Sequence, residues 1–124
     1  MTAGPSRRAL AGLVLLVLAV AGATQAWQAH REAQLGREIA QQARPGDLHL
    51  VSSTDCIFCD RARRWLTLHQ VHFSECFIER DAACAAQYRA LGAQGTPTLL
   101  VRGQRQLGFS PARVRDRLRA PAGV

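Results

Sequence analysis

The chain opens on an uninterrupted apolar stretch, and hydrophobic residues recur only periodically after it. No charged residue stands between Ala9 and Ala29, and the strongly apolar part runs from Ala9 to Ala23, behind Arg7-Arg8. Apolar residues on every side of a helix, after a positive start, predict a secretory signal or a membrane anchor. The apolar run falls short of the roughly 20 residues of a spanning helix unless "TQAWQA" is counted with it. "AGA" at 21–23 and "TQA" at 24–26 provide small-residue cleavage sites, whereas Trp27 suits a membrane interface. The following "WQAHREAQLGREIAQQARPG" is polar, with Leu35 and Ile39 as a thin helical stripe. It predicts a helical stalk that ends before Pro45-Gly46. The chain therefore divides into a signal peptide or anchor over 1–27, a stalk or linker over 28–46, a folded domain over 47–120 and a tail over 121–124.

Within the domain the periodicity switches repeatedly. "DLHLVSS" alternates and predicts a strand. "CIFCDRARRWLTLH" places Phe58, Ala62, Trp65 and Leu66 at helical spacing, so a helix starts at its cysteines. "VHFSECFIE" predicts a second strand, with Val71, Phe73 and Glu75 on one side. "RDAACAAQYRALGAQ" predicts a second helix, capped by Asp81 and stopped at Gly92. "TPTLLVRGQRQLGF" predicts two strands turning at Arg102-Gly103. "SPARVRDRLRA" predicts a last helix with Ser110 as cap, Pro111 in the first helical position and an apolar face of Val114 and Leu118. The order is βαβ-α-ββα: an α/β domain with four strands, the first two parallel across a helical crossover and the last two a hairpin.

Charge changes this picture little. The 124 residues carry a net +7, and every one of the 16 basic residues is Arg. Arg7 and Arg8 belong to the leader, Arg102 through Arg119 are scattered among turns and the last helix, and the basic residues come without interleaved aromatics, which argues against nucleic acid as a partner. If the leader exports the chain, the positive-inside rule keeps Arg7 and Arg8 in the cytoplasm and everything after Trp27 outside it. In a bacterium this means an inner-membrane protein with one span and a periplasmic domain, or a periplasmic protein if the leader is cleaved. Such a compartment permits disulfides.

The four cysteines then carry the chemistry. Cys56 falls in the turn before the first domain helix and Cys59 one helical turn later. Free backbone N–H groups and the positive dipole end at a helix start stabilise a thiolate, which makes Cys56 the better nucleophile. Cys59 can then attack the mixed disulfide and release the product. A metal reading exists, because His69 and His72 complete a C-x2-C-x9-H-x2-H pattern. Its spacing departs from zinc fingers, and a helix end and a strand converge poorly on the cysteines. Two ordinary core cysteines are the bland alternative. Cys76 and Cys84 leave three readings open: a structural bridge, two buried thiols, or a second redox relay.

The cysteine motif, the βαβ unit and "GTPTLLV" together resemble the thioredoxin superfamily. The small size and "GQRQLGFSP" are most similar to a glutaredoxin-type domain, over about residues 47 to 120. The resemblance implies a thioredoxin-like fold with a four-stranded mixed sheet. It implies an attacking Cys56, a resolving Cys59 and a cis bond before Pro97. Thr96 is then free to pair with an extended substrate, while Gly108 and Phe109 flank the substrate groove. Phe109 serves equally as a core residue, and Pro97 as a plain proline at the start of a strand. The sequence departs from the family in having Ile57-Phe58 between the cysteines and Asp55 before them. The implied activity is thiol-disulfide exchange with protein disulfides or dithiols. It requires no bound cofactor, with glutathione as a redox partner. A binding module for a partner protein or a soft ion such as Cu(I) is the alternative, and an assembly subunit of an envelope complex a third.

Overall fold

The computed structural model describes residues 4–121. Two compact units divide the chain, one reaching to Ala33 and one starting at Gln34. A single helix, α1 (Arg7–Gln42), covers both the apolar leader and the stretch read as a stalk. Its apolar part is long and apolar enough, by length and composition, to cross a membrane.

The second unit begins with the last turns of α1 and continues as β1 (Leu48–Ser52), α2 (Ile57–Leu68), β2 (Ser74–Phe77), α3 (Ala82–Ala90), β3 (Thr98–Val101), β4 (Gln104–Leu107) and α4 (Pro111–Arg119). The sheet order is β2-β1-β3-β4. β1 and β2 are parallel, with Val51 opposite Cys76. β3 runs antiparallel to both β1 and β4. This is the mixed sheet of the thioredoxin-like fold.

Strand alternation gives the sheet two different faces. On one, Leu48, Leu50, Leu99 and Val101 pack against Ala62 and Leu66 of α2 and Val114 and Leu118 of α4. Ile39 and Ala43 belong to the same core. The stretch read as a stalk thus supplies buried apolar side chains to the domain. Gly36 makes the approach possible, because a Cβ there would collide with the His69 ring at the end of α2. On the other face lie Val51, Thr98 and Leu100, with α3 tied over them through a Cys76–Cys84 disulfide, Cα atoms 5.9 Å apart.

Caps and turns fall where the local chemistry demands. The Asp81 carboxylate accepts from the Ala83 N–H and the Ser110 hydroxyl from the Arg113 N–H. Arg102 and Gly103 both have positive φ, the geometry of a tight hairpin turn. β2 is shorter than the predicted 71–79. The Val71 N–H donates to the Leu66 carbonyl, and Gln70 is left-handed, so the chain is still closing α2 at Val71. Beyond β2, the Arg80 and Asp81 N–H groups turn back onto the Phe77 carbonyl. Val71 is buried in the core and Phe73 packs against it, outside any strand ladder.

Candidate functional site

The β1–α2 connection delivers Cys56 beyond the C-terminal end of the interior strand β1, as the N-cap of α2. Its backbone is extended, and its sulfur accepts the N–H of Cys59 at 3.1 Å. A side-chain oxygen usually takes that position; here a sulfur does, so the first turn of the helix solvates it directly. Cys56 is partly exposed and Cys59 fully buried. The two are joined as a disulfide with Cα atoms 5.2 Å apart. A reagent therefore meets Cys56 first.

Opposite the pair stands the loop before β3. The Thr96–Pro97 bond is cis, and the Thr96 carbonyl oxygen lies 3.6 Å from the Cys56 sulfur. Pro97 is buried, and its carbonyl accepts the Gly108 N–H at 2.8 Å. Gly108 has φ +74, which lets the chain leave β4 and still reach Pro97. The Thr98 hydroxyl fixes the same loop by donating to the Gly95 carbonyl at 2.8 Å. Cys56, Cys59, Thr96, Pro97 and Gly108 are thus brought together. Phe109 turns inward, where its ring packs on Trp65 with centroids 5.5 Å apart, against the core.

Between the cysteines, Ile57 and Phe58 stay 60% and 62% exposed beside Cys56. The Arg61 guanidinium lies over the Phe58 ring at 5.8 Å. Arg63 is committed elsewhere. It donates to both Glu75 oxygens, at 2.7 and 2.9 Å, and to Asp60 at 2.8 Å. Held chiefly by Glu75 and then by Asp60, Arg63 is pushed further above its ordinary range. The buried Ser52 hydroxyl completes the network by donating to Glu75 at 2.6 Å.

Sequence patterns do not single out Glu79, which secures the approach to Cys56. The Ser53 hydroxyl donates to one of its oxygens at 2.5 Å and the Thr54 N–H to the other at 3.0 Å. The Ser53 hydrogen bond above all holds this carboxyl below its ordinary value. His69 and His72 are not gathered with the cysteines; His69 stacks on Trp65 at 4.2 Å. Among the described residues no group of three or more His, Cys, Asp or Glu is placed to hold a metal ion.

Comparisons with known proteins bear on the fold. Residues 48–106 match the glutaredoxin family model. The thioredoxin-like protein BC3987 superposes with a TM-score of 0.51 at 21% identity, over 56% of this chain and 97% of its own. A mutant of that protein gives 0.54 at 22% identity, over 59% and 95%. A glutaredoxin from Archaeoglobus fulgidus gives 0.49 at 15% identity, over 60% and 87%. Curated protein sequences provide no match. At these identities the first two superpositions establish the fold. Fold and cysteine pair together support thiol-disulfide redox chemistry in general. The second unit thus carries, at residues 48–106, a match to the glutaredoxin family model on a thioredoxin-like fold.

Proposed function

We propose that the chain is a thiol-disulfide oxidoreductase that exchanges with protein dithiols and disulfides on the extracytoplasmic side of a membrane. One observation carries the chemistry: the Cys56 sulfur caps α2, 3.1 Å from the Cys59 N–H, and faces the Thr96 carbonyl at 3.6 Å. In the dithiol form the helix start stabilises a Cys56 thiolate. That thiolate attacks a substrate disulfide, forming the Cys56–substrate bond and expelling one substrate thiolate. Cys59 then attacks the Cys56 sulfur, the mixed disulfide breaks, and the second substrate thiolate leaves. Two electrons pass from the cysteine pair to the substrate, and the reverse sequence oxidises a substrate dithiol. No step needs a resident cofactor, and glutathione is a suitable small redox partner.

Exposed Ile57 and Phe58 supply an apolar surface beside the sulfur, which suits an extended protein segment lying against Thr96. The apolar helix at Arg7–Gln42 supports the membrane setting, with Arg7 and Arg8 on the cytoplasmic side. The full-length chain in detergent, equilibrated in glutathione redox buffers, tests the reaction. A two-electron transition at Cys56–Cys59 is expected, Cys56→Ser should abolish turnover, and Cys59→Ser should trap the mixed disulfide. Full activity of Cys56→Ser would refute the reading. A midpoint near the roughly −120 mV of a strong periplasmic oxidant assigns disulfide formation, and one near the roughly −270 mV of thioredoxin assigns reduction. Labelling of the reduced domain in intact cells by a membrane-impermeant thiol reagent tests the side of the membrane.

A further inference from the structure

The Cys76–Cys84 bridge sits on strand β2 and helix α3, apart from the cysteine pair that opens α2. Its two residues are not equally buried. Cys84 is 2% exposed, whereas Cys76 keeps partial exposure. A third group stands against the more exposed cysteine: His49, on the neighbouring strand, places Nε2 3.4 Å from Cys76 Sγ. The other ring nitrogen, Nδ1, lies 2.7 Å from the Ser74 hydroxyl oxygen. That hydroxyl faces the Leu48 carbonyl at 3.5 Å, which can only accept. In the tautomer with the proton on Nδ1, Ser74 receives that N–H and the Nε2 lone pair faces the sulfur.

We propose that Cys76 is a second reactive thiol, with His49 as its base and Cys84 as its resolving partner, and that it exchanges with low-molecular-weight disulfides and thiols. Cys76 is partly exposed with a buried partner behind it, so a small disulfide can reach it. In the dithiol form Nε2 takes the Cys76 proton, and the Cys76 thiolate attacks one sulfur of the small disulfide. A Cys76–small-molecule bond forms, and one thiolate leaves with the proton from His49. Cys84, on giving up its own proton, attacks the Cys76 sulfur, re-forms the bridge and expels the second thiol. The cysteine pair loses two electrons and the small disulfide gains them.

The test uses the full chain carrying Cys56→Ser and Cys59→Ser, so that Cys76 and Cys84 are the remaining cysteines. Dithiothreitol should open the bridge while the far-ultraviolet circular dichroism stays native. Oxidised glutathione, with samples quenched by acid and iodoacetamide and read by mass spectrometry, should then give a transient glutathione adduct at Cys76 followed by closure of the bridge. Cys84→Ala in the same background should stop at the adduct. His49→Gln should slow adduct formation at least about tenfold, as expected for loss of a positioned base. Three results overturn the proposal: a bridge that dithiothreitol opens only once the fold is lost, a first adduct at Cys84, or equal rates with and without His49. Where His49→Gln loses the native spectrum, the parent chain decides the matter. Its Cys76 must react faster than an unactivated peptide thiol at the same pH, and an equal or slower rate overturns the assignment.

Discussion

Glu79 holds the two residues that lead into Cys56, and it does so as a carboxylate. Both hydrogen bonds, from the Ser53 hydroxyl and the Thr54 N–H, run towards its charged form. The folded chain therefore binds its proton less readily than the unfolded chain, whose ordinary value is 4.5. The sign follows from linkage: the unfolded state takes up more protons in acid, so this contribution is present above that value and lost as the pH falls through the lower, folded one. Glu79 is exposed, so the effect is small. Glu79→Gln should lower Tm at pH 7, with the gap to the parent closing as the pH drops below 4.5. A gap that stays constant down to pH 3 in thermal denaturation would show that the carboxylate charge is not its source. The neighbouring Arg63–Glu75–Ser52 network works differently. It ties α2 to β1 and β2 and leaves the buried Ser52 hydroxyl satisfied.

Helix starts are legible in the sequence because a cap is one side chain bonding two or three positions onward. Asp81, Ser110 and the Cys56 start of α2 all stand where the pattern puts them. The Arg102-Gly103 turn is legible for the same local reason, and the parallel β1–β2 pair follows from the helical crossover between two strands. The partners of Glu79 and His49 are not, because they lie 25 to 27 positions away along the chain. Nor is the late start of β2, which depends on a bond from Val71 back to α2. α3 brings these scales together. Its segment "AACAAQYRA" fully buries only Cys84, so it draws little from apolar packing. Two ties hold it to the sheet: the Cys76–Cys84 bridge, and Arg105 of β4 donating to the Leu91 and Gly92 carbonyls at its end. The bridge closes a loop with a sequence separation of 8. Loop-closure entropy for that length is worth about 2.5 kcal/mol. The Cys76→Ala, Cys84→Ala pair should lose about that much in urea denaturation, with faster amide exchange concentrated in α3. A uniform rise in exchange over the whole sheet would mean that α3 is not a separately held element.

The whole domain depends on residues that local pattern assigns to its approach. Leu35 and Ile39 make too thin a stripe to announce a core, and nothing in their spacing says what they pack on. In the fold Ile39 is 0% exposed and shares its core with Ala62 and Leu66, on the helix that Cys56 caps. Gly36 lets α1 close on the end of that helix, and Glu38 pairs with Arg119 on α4. The compact unit accordingly starts at Gln34, thirteen positions before the Asp47 start read from the pattern. Removing a buried Ile side chain alone typically costs about 2–5 kcal/mol, and loss of Ala43 adds to it. Two fragments separate the boundaries. A chain starting at residue 34 should unfold cooperatively in urea, whereas one starting at residue 47 should be about 3–5 kcal/mol less stable and expose Leu48 and Leu66 where α1 lay. The redox pair provides an independent readout. With α2 unsupported, Cys59 should become open to alkylation in the reduced shorter fragment while staying protected in the longer one. Equal stability and equal Cys59 protection in the two fragments would place the end of α1 outside the folding unit. The expected difference makes the end of α1 a structural part of the domain.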